Sequence, residues 1–270
     1  MPLDFDEYFA LHARGAFREA YAALREILSN DPYWSKVGDL YVWCADLELQ
    51  VTSDMCEARR LLDKARELGC RYPASYHRAR GFLRWRMGER DEGIRDIEKS
   101  IELEPSVRNL MTLGEVLSSD GDERAAGVLR RVLDQDPNNC LVHVYLGILS
   151  SKSGDRGRAI LLAKRAEKLA ASAIDHQEVG RLYQEVQEFR CAIDAFLNAE
   201  RLGCERKGEL YAALAVCYFW LGDNETGRKY LQWAIKRDPK NEYVRYVFEN
   251  SGDLMKESGI DTDCDEGDRQ

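Results

Sequence analysis

Apolar residues recur along this chain at the spacing of an α-helix, in short blocks that glycine or proline separates. One such block contains Leu24, Ile27 and Leu28. Steps of three and four residues place side chains on the same face of a helix. The pattern predicts an all-α protein of about fifteen amphipathic helices, each roughly 12–15 residues long.

The boundaries between these blocks recur at fixed distances. Three glycines each stand 17 residues before a proline that follows an acidic residue: Gly15 and Pro32, Gly88 and Pro105, Gly222 and Pro239. Small residues recur 33 or 35 residues apart, at Gly81, Gly114, Gly147, Gly180 and Ala215. Glycine tolerates the left-handed conformation that ends a helix, and the residue before proline avoids helical dihedral angles. The chain is therefore predicted to be a solenoid of two-helix units with a period of about 34 residues.

The pattern resembles the tetratricopeptide repeat (TPR), in which a helix with small residues is followed by G-x-x-x-x-A and an apolar second helix. One match runs through Gly147, Gly154, Ala159, Ala163 and Ala166, and another through Gly180, Tyr183, Ala192, Phe196 and Ala199. The resemblance implies an α-solenoid of about seven units that form a right-handed superhelix. The predicted units are roughly 1–34, 35–73, 74–106, 107–139, 140–172, 173–207 and 208–240.

The residues after the seventh unit predict a cap and a tail. Residues 241–250 form a predicted capping helix, in which Tyr243, Val244, Val247 and Phe248 cover the last unit. Residues 251–270 are rich in acidic side chains and poor in large apolar ones. Such a composition cannot bury enough surface to order the chain, so a mostly disordered acidic tail is predicted.

Charge and cysteine usage narrow the classes of function. The net charge is −9, and basic residues are dispersed among acidic ones, which disfavours nucleic-acid binding. We find neither an apolar run of about 18 residues nor a basic and apolar leader at the N-terminus. The eight cysteines show no paired spacing, which favours reduced thiols in a cytoplasmic protein.

The chain carries no recognisable catalytic motif, so we do not predict an enzyme, a cofactor or a metal site. Cys140 and His143 stand three residues apart and share a helix face. Two ligands do not make a metal centre, and the sequence shows no others near them.

The TPR resemblance implies that the first helices of the units line a concave groove. Aromatic residues and arginine are what hot spots of protein interfaces favour. The residues predicted to bind a partner there are Phe5, Phe9, Trp43, Leu47, Arg78, Phe82, Trp85, Arg86, Val216, Phe219 and Trp220. The competing interpretation is that some of these side chains pack between neighbouring units.

The arginines of the third unit leave two alternatives open. A TPR subclass that holds the C-terminal carboxylate of chaperones uses lysine and asparagine at set points, and this chain lacks them. Arg78, Arg80, Arg84 and Arg86 either grip an acidic segment of a partner or form a solvated helix face.

The leading hypothesis is a cytoplasmic adaptor that holds a peptide or helix of another protein, through apolar anchors and acidic groups of that partner. A structural scaffold that self-associates, or joins a larger complex through repeat edges, is the second hypothesis. A helical-repeat RNA binder is the third, and an enzyme is the least favoured.

Overall fold

The computed structural model of the chain describes residues 11, 16–51 and 54–257, with 253–257 described by backbone alone. These residues form fourteen α-helices, one short 3₁₀ helix (Trp34–Lys36) and no β-strand, which confirms the all-α class. The helices are α1 (Phe17–Asn30), α2 (Gly38–Val51), α3 (Met55–Leu68), α4 (Pro73–Arg86), α5 (Arg90–Leu103), α6 (Val107–Asp120), α7 (Arg124–Leu133), α8 (Cys140–Lys152), α9 (Arg156–Leu169), α10 (Ala173–Glu185), α11 (Phe189–Arg201), α12 (Lys207–Trp220), α13 (Asn224–Arg237) and α14 (Glu242–Glu257).

The helices pack as successive pairs joined by short turns. The pairs are α2 with α3, α4 with α5, α6 with α7, α8 with α9, α10 with α11, and α12 with α13. First helices of successive pairs also touch: α2 contacts α4, α4 contacts α6, α8 contacts α10, and α10 contacts α12. This is the helix-turn-helix arrangement that the sequence period predicts.

The contacts divide the described residues into two compact units, one up to residue 138 and one from residue 139 onward. The core of the first unit draws on α1 to α4 and includes the fully buried Leu24 and Leu40. In the second unit, α12, α13 and α14 share a core that contains Phe219 and Val247. The boundaries of the seven predicted repeats stay a prediction.

Polar caps and glycines set where several helices begin and end. The Asp54 side chain accepts hydrogen bonds from the backbone of Cys56 and Glu57 and starts α3. Gly88, which follows α4, has a φ of 86° in the left-handed region, where side chains with a Cβ are strained. Gly222 has a φ of 80° in the matching turn after α12. The predicted glycine stops are therefore present in these two turns.

Two glycines inside helices allow the backbones of neighbouring helices to approach closely. A Cβ placed on Gly81 of α4 would lie 2.6 Å from the carbonyl oxygen of Gly93 in α5. A Cβ on Gly93 would lie 2.7 Å from the carbonyl oxygen of Gly81. Only hydrogen fits at either position, so the two glycines set the spacing of the α4–α5 pair.

The last helix differs from the predicted cap in its length and in its exposed residues. It runs to Glu257, beyond the predicted end at 250, because no proline interrupts it. Val244 and Val247 are buried as predicted, Tyr243 is partly exposed, and Phe248 is 58% exposed because it lies outside the stripe that faces the core. The rest of the predicted tail, 258–270, lies outside the described residues. None of the helices described above combines the length and apolar character needed to traverse a bilayer.

Candidate functional site

An ion pair joins the first helices α2 and α4 on one side of the first unit. Arg78 of α4 donates from Nη1 to Asp46 Oδ1 of α2 at 3.3 Å and from Nη2 to Asp46 Oδ2 at 2.5 Å. Arg108 of α6 reaches the same carboxylate, with Nη2 at 3.5 Å from Asp46 Oδ2. These three side chains therefore mark one face that is shared by three consecutive first helices.

The burial of this group changes the predicted role of Arg78. Arg78 and Asp46 are each 7% exposed, whereas the Arg108 side chain is 50% exposed. Arg78 was predicted to contact a partner, but its guanidinium forms a buried ion pair with Asp46. Because a charge this buried needs its counter-charge, Arg78 acts as a structural residue, and Arg108 is the accessible cation on this side.

Two aromatic rings lie further along α4 on the same face. Phe82 and Trp85 stack with ring centroids 5.9 Å apart and an interplanar angle of 25°. Trp85 Nε1 donates a hydrogen bond to Asp120 Oδ2 of α6 at 3.0 Å, and Phe82 packs against the core of the first unit. Both side chains are half-buried, so part of each ring faces solvent. We call Asp46, Arg78, Phe82, Trp85 and Arg108 together the first-helix face.

Two other predicted site residues lie on these helices. Trp43 of α2 is half-buried and packs against the core of the first unit. Arg86 of α4 is also half-buried. Both are accessible in part, but their positions do not by themselves distinguish binding from packing.

Three predicted binding residues are buried in the protein core, which contradicts their assignment to an exposed surface. Leu47 is 1% exposed within the core of the first unit, and Val216 is 9% exposed within that of the second. Phe219 is 0% exposed, and its ring fills the space beside Gly227, where a Cβ would lie 2.5 Å away. Its neighbour Trp220 is exposed and stacks on Phe189, with centroids 5.6 Å apart. Phe5 and Phe9 lie outside the described residues.

The remaining arginines of α4 bind an acid of their own helix pair. Asp96 of α5 accepts from Arg80 Nε at 2.7 Å and from Arg84 Nη1 at 2.8 Å, and it also contacts His77. Burial tends to raise the pKa of Asp96, but the hydrogen bond and charge of Arg80 outweigh it and hold the pKa below its usual range. Arg80 and Arg84 therefore hold α4 to α5.

Sequence reasoning missed Asp46, Arg108 and Asp120. Their spacings carry a signal: Asp46 precedes Arg78 by 32 residues, and Asp120 follows Trp85 by 35. Both distances are close to one repeat, so a search for complementary polar pairs one period apart would have found these contacts.

Cys140 and His143 lie one turn apart on α8, yet each bonds elsewhere. Cys140 Sγ donates to the backbone oxygen of Ala166 at 3.2 Å, and burial raises the pKa of this thiol to about 12. Arg165 Nε donates to His143 Nε2 at 3.2 Å. Within the described ranges, no three His, Cys, Asp or Glu side chains are grouped as a metal site would require.

The environment of His143 predicts a pH-dependent stability. Burial, and then the charge of Arg165, lower the pKa of His143 below its ordinary value. Below a pH of about 6.5 the unfolded chain binds a proton that the folded chain resists. The free energy of unfolding therefore falls with falling pH, by at most about 1.4 kcal/mol per pH unit from this group.

The measurement is urea unfolding of the wild type and of His143→Gln between pH 5 and 7. The glutamine side chain keeps an acceptor for Arg165 but does not titrate. We expect a smaller loss of stability with acid in the variant, and equal losses in both proteins would contradict the role given to His143.

Successive helix pairs, in which the first helices of neighbouring pairs contact each other, are typical of a helical-repeat protein. The tetratricopeptide repeat family model matches residues 208–241, which hold α12 and α13. Residues 208–241 therefore resemble a tetratricopeptide repeat. No curated protein matches its sequence.

Solved structures share the fold at low sequence identity. A chain of the APC/C hetero-tetramer Cut9-Hcn1 is 17% identical with a TM-score of 0.57, covering 93% of this chain and 48% of that one. Yeast Tom70 is 15% identical with a TM-score of 0.57, covering 93% of this chain and 56% of its own. A tetratricopeptide repeat protein from Parabacteroides merdae is 13% identical with a TM-score of 0.59, covering 94% and 97%.

These identities show the fold alone. This chain spans about half the length of the matched Cut9-Hcn1 chain and of yeast Tom70. Repeat folds of this kind present extended surfaces to other proteins, so the fold is typical of proteins that bind or organise other proteins.

Proposed function

We propose that this chain is an adaptor that binds a peptide or helix of a partner protein on the first-helix face. The observation that carries the proposal is the stacked Phe82–Trp85 pair, whose rings are partly exposed and fixed by the bond from Trp85 to Asp120. Rings that are already held in place lose little freedom on binding, which favours affinity. Aromatic anchors of this kind are the commonest hot spots of protein interfaces.

The exposed Arg108 on this face favours a partner segment that carries an acidic group. Arg78 and Arg108 share the single carboxylate of Asp46, and the Arg108 side chain is half exposed. An apolar side chain of the partner on Phe82 and Trp85 leaves room for a carboxylate near Arg108. We therefore expect the partner segment to combine an apolar anchor with aspartate or glutamate.

The proposal includes a cytoplasmic place of action. The seven cysteines in the described part of the chain are free thiols, several of them buried, which is usual for proteins of reducing compartments. The net charge of −9 favours a protein partner over RNA.

Replacing Trp85 with alanine tests the site. Selection of a displayed peptide library on the full wild-type chain should enrich segments with an apolar anchor and an acidic group. We expect Trp85→Ala to weaken their binding by about 2 kcal/mol or more, roughly thirtyfold. Fluorescence anisotropy of a selected peptide measures this loss, and Arg108→Glu should reduce binding of the same peptide.

Trp233→Ala is the matched control, because Trp233 is an exposed tryptophan in the second unit. Circular dichroism confirms that each variant is folded. Equal peptide affinity for folded Trp85→Ala and wild type would reject the first-helix face as the binding site.

A further inference from the structure

The face of α12 that its own second helix covers includes a stripe formed by Tyr211, Leu214 and Tyr218. Tyr211 lies 5.9 Å from the ring of Tyr230 and 5.9 Å from that of Trp233, both on α13. Tyr218 stacks on Tyr230 at 5.4 Å, and Leu214 is completely buried. Tyr211 and Tyr218 therefore mark where the second helix of a repeat packs on the first, and Leu214 lies between them on the same face of the helix.

The same register continues into α14, one repeat of 34 residues later. Leu210 and Ala213 of α12 are buried, and their counterparts Val244 and Val247 are each 1% exposed. The α14 helix therefore occupies the position of a first helix in a further repeat.

On α14 the stripe equivalent to Tyr211, Leu214 and Tyr218 consists of Arg245, Phe248 and Gly252. Among the described residues nothing follows α14 to cover it, and Phe248 is 58% exposed. A Cβ placed on Gly252 would meet no atom within 4 Å. The helix thus presents a large ring and, one turn further on, an open position without a side chain.

The residues that follow α14 in the sequence are poorly suited to cover this stripe. A second helix at the usual spacing would begin near residue 258. Residues 258–270 contain five acidic side chains and one large aliphatic residue, Ile260. They therefore lack the apolar stripe that packing on Phe248 requires.

We propose that the α14 helix of a second copy of this chain covers the stripe. Two α14 helices placed antiparallel about a twofold axis near residue 250 bring Phe248 of each copy over Gly252 of the other. The large and small positions are complementary, and the twofold arrangement satisfies both at once, as a self-complementary interface requires. This surface is distinct from the first-helix face, so the two proposals stand or fall separately.

A contact of a few helical turns buries less than the roughly 1,200 Å² that stable interfaces need, so the dimer is a weak one. Sedimentation equilibrium of the full chain over about a hundredfold range of concentration is the test. The average mass should rise from 31.0 kDa towards twice that value at the highest concentration.

Two variants test the geometry. Gly252→Gln fills the open position at no cost to the fold, because glutamine suits a helix better than glycine does. Phe248→Ser removes the ring that would occupy it. We expect each to weaken association at least about tenfold, equivalent to about 1.4 kcal/mol.

The matched controls are Gly157→Gln and Leu161→Ser, which make the same kinds of change at exposed positions of α9. Both should associate as the wild type does. A wild type that stays monomeric throughout, or dimers that persist in both Gly252→Gln and Phe248→Ser, would overturn the proposal and leave the stripe to a helix of another protein.

Discussion

Arg78→Ala should lower the free energy of unfolding of the full chain by about 3–5 kcal/mol, because it leaves the carboxylate of Asp46 buried without its main counter-charge. The two side chains are each 7% exposed and share two hydrogen bonds. Urea unfolding followed by circular dichroism at pH 7 measures the loss. The first unit should unfold at a lower urea concentration than it does in the wild type.

Two further variants test whether the lost counter-charge causes the destabilisation, or whether any substitution on this face would destabilise the protein. Arg108→Ala removes the exposed partner of the same carboxylate, and surface ion pairs are worth about 0–1 kcal/mol. The double variant Asp46→Leu with Arg78→Met removes both buried charges and should recover most of the stability that Arg78→Ala loses. A stable Arg78→Ala protein would show that the fold does not depend on the Arg78–Asp46 ion pair.

The helical architecture was predictable because it depends on features that recur. Glycine stops such as Gly88, and the small residues Gly81 and Gly147, repeat at a period that only stacked helix pairs explain. Local chemistry determines where each helix ends, so these predictions needed no knowledge of tertiary contacts.

The candidate site was predictable only in part, because a repeat period identifies neighbouring helices but not which side chains meet. The position of Phe82 and Trp85 on one face of α4 follows from their spacing. The burial of Phe219 could not be read from the sequence, because α12 is apolar around most of its circumference. Periodicity does not say which side of such a helix faces water. Leu47 was misassigned for the same reason, since most of α2 is buried.

The polar contacts were the part of the site that was least predictable from the sequence. Asp46 and Arg108 belong to different helix pairs from Arg78, and in the sequence each resembles an ordinary surface charge of its own helix. Only the packing of α2, α4 and α6 brings Arg78 and Arg108 to the carboxylate of Asp46. The structure thus changes Arg78 from a ligand-binding residue into a support for the face, and it adds Arg108 as the accessible cation.

The spacing of α4 and α5 supplies the prediction that connects stability with binding. Gly93→Ala should destabilise the first unit by about 3 kcal/mol, at the upper end of the usual cost of overpacking. The added Cβ would lie 2.7 Å from the carbonyl oxygen of Gly81 and 2.8 Å from the backbone nitrogen of Trp85. Both are backbone atoms of α4, so no side-chain rotation relieves the clash and the helices must separate.

Gly127→Ala is the control, since Gly127 is a glycine of α7 whose added Cβ would meet no atom within 4 Å. That variant should gain about 0.5–1 kcal/mol of stability from improved helix propensity.

Gly93→Ala should also affect binding, because its added Cβ clashes with Trp85 itself. Under conditions where Gly93→Ala remains folded, it should bind the selected peptides more weakly than the wild type does. Unfolding curves and anisotropy measure the two effects on one sample. A Gly93→Ala protein as stable as wild type would show that α4 and α5 are less closely packed than the two glycines indicate. If Gly93→Ala loses stability but keeps its affinity for the peptides, peptide binding does not depend on the position of Trp85.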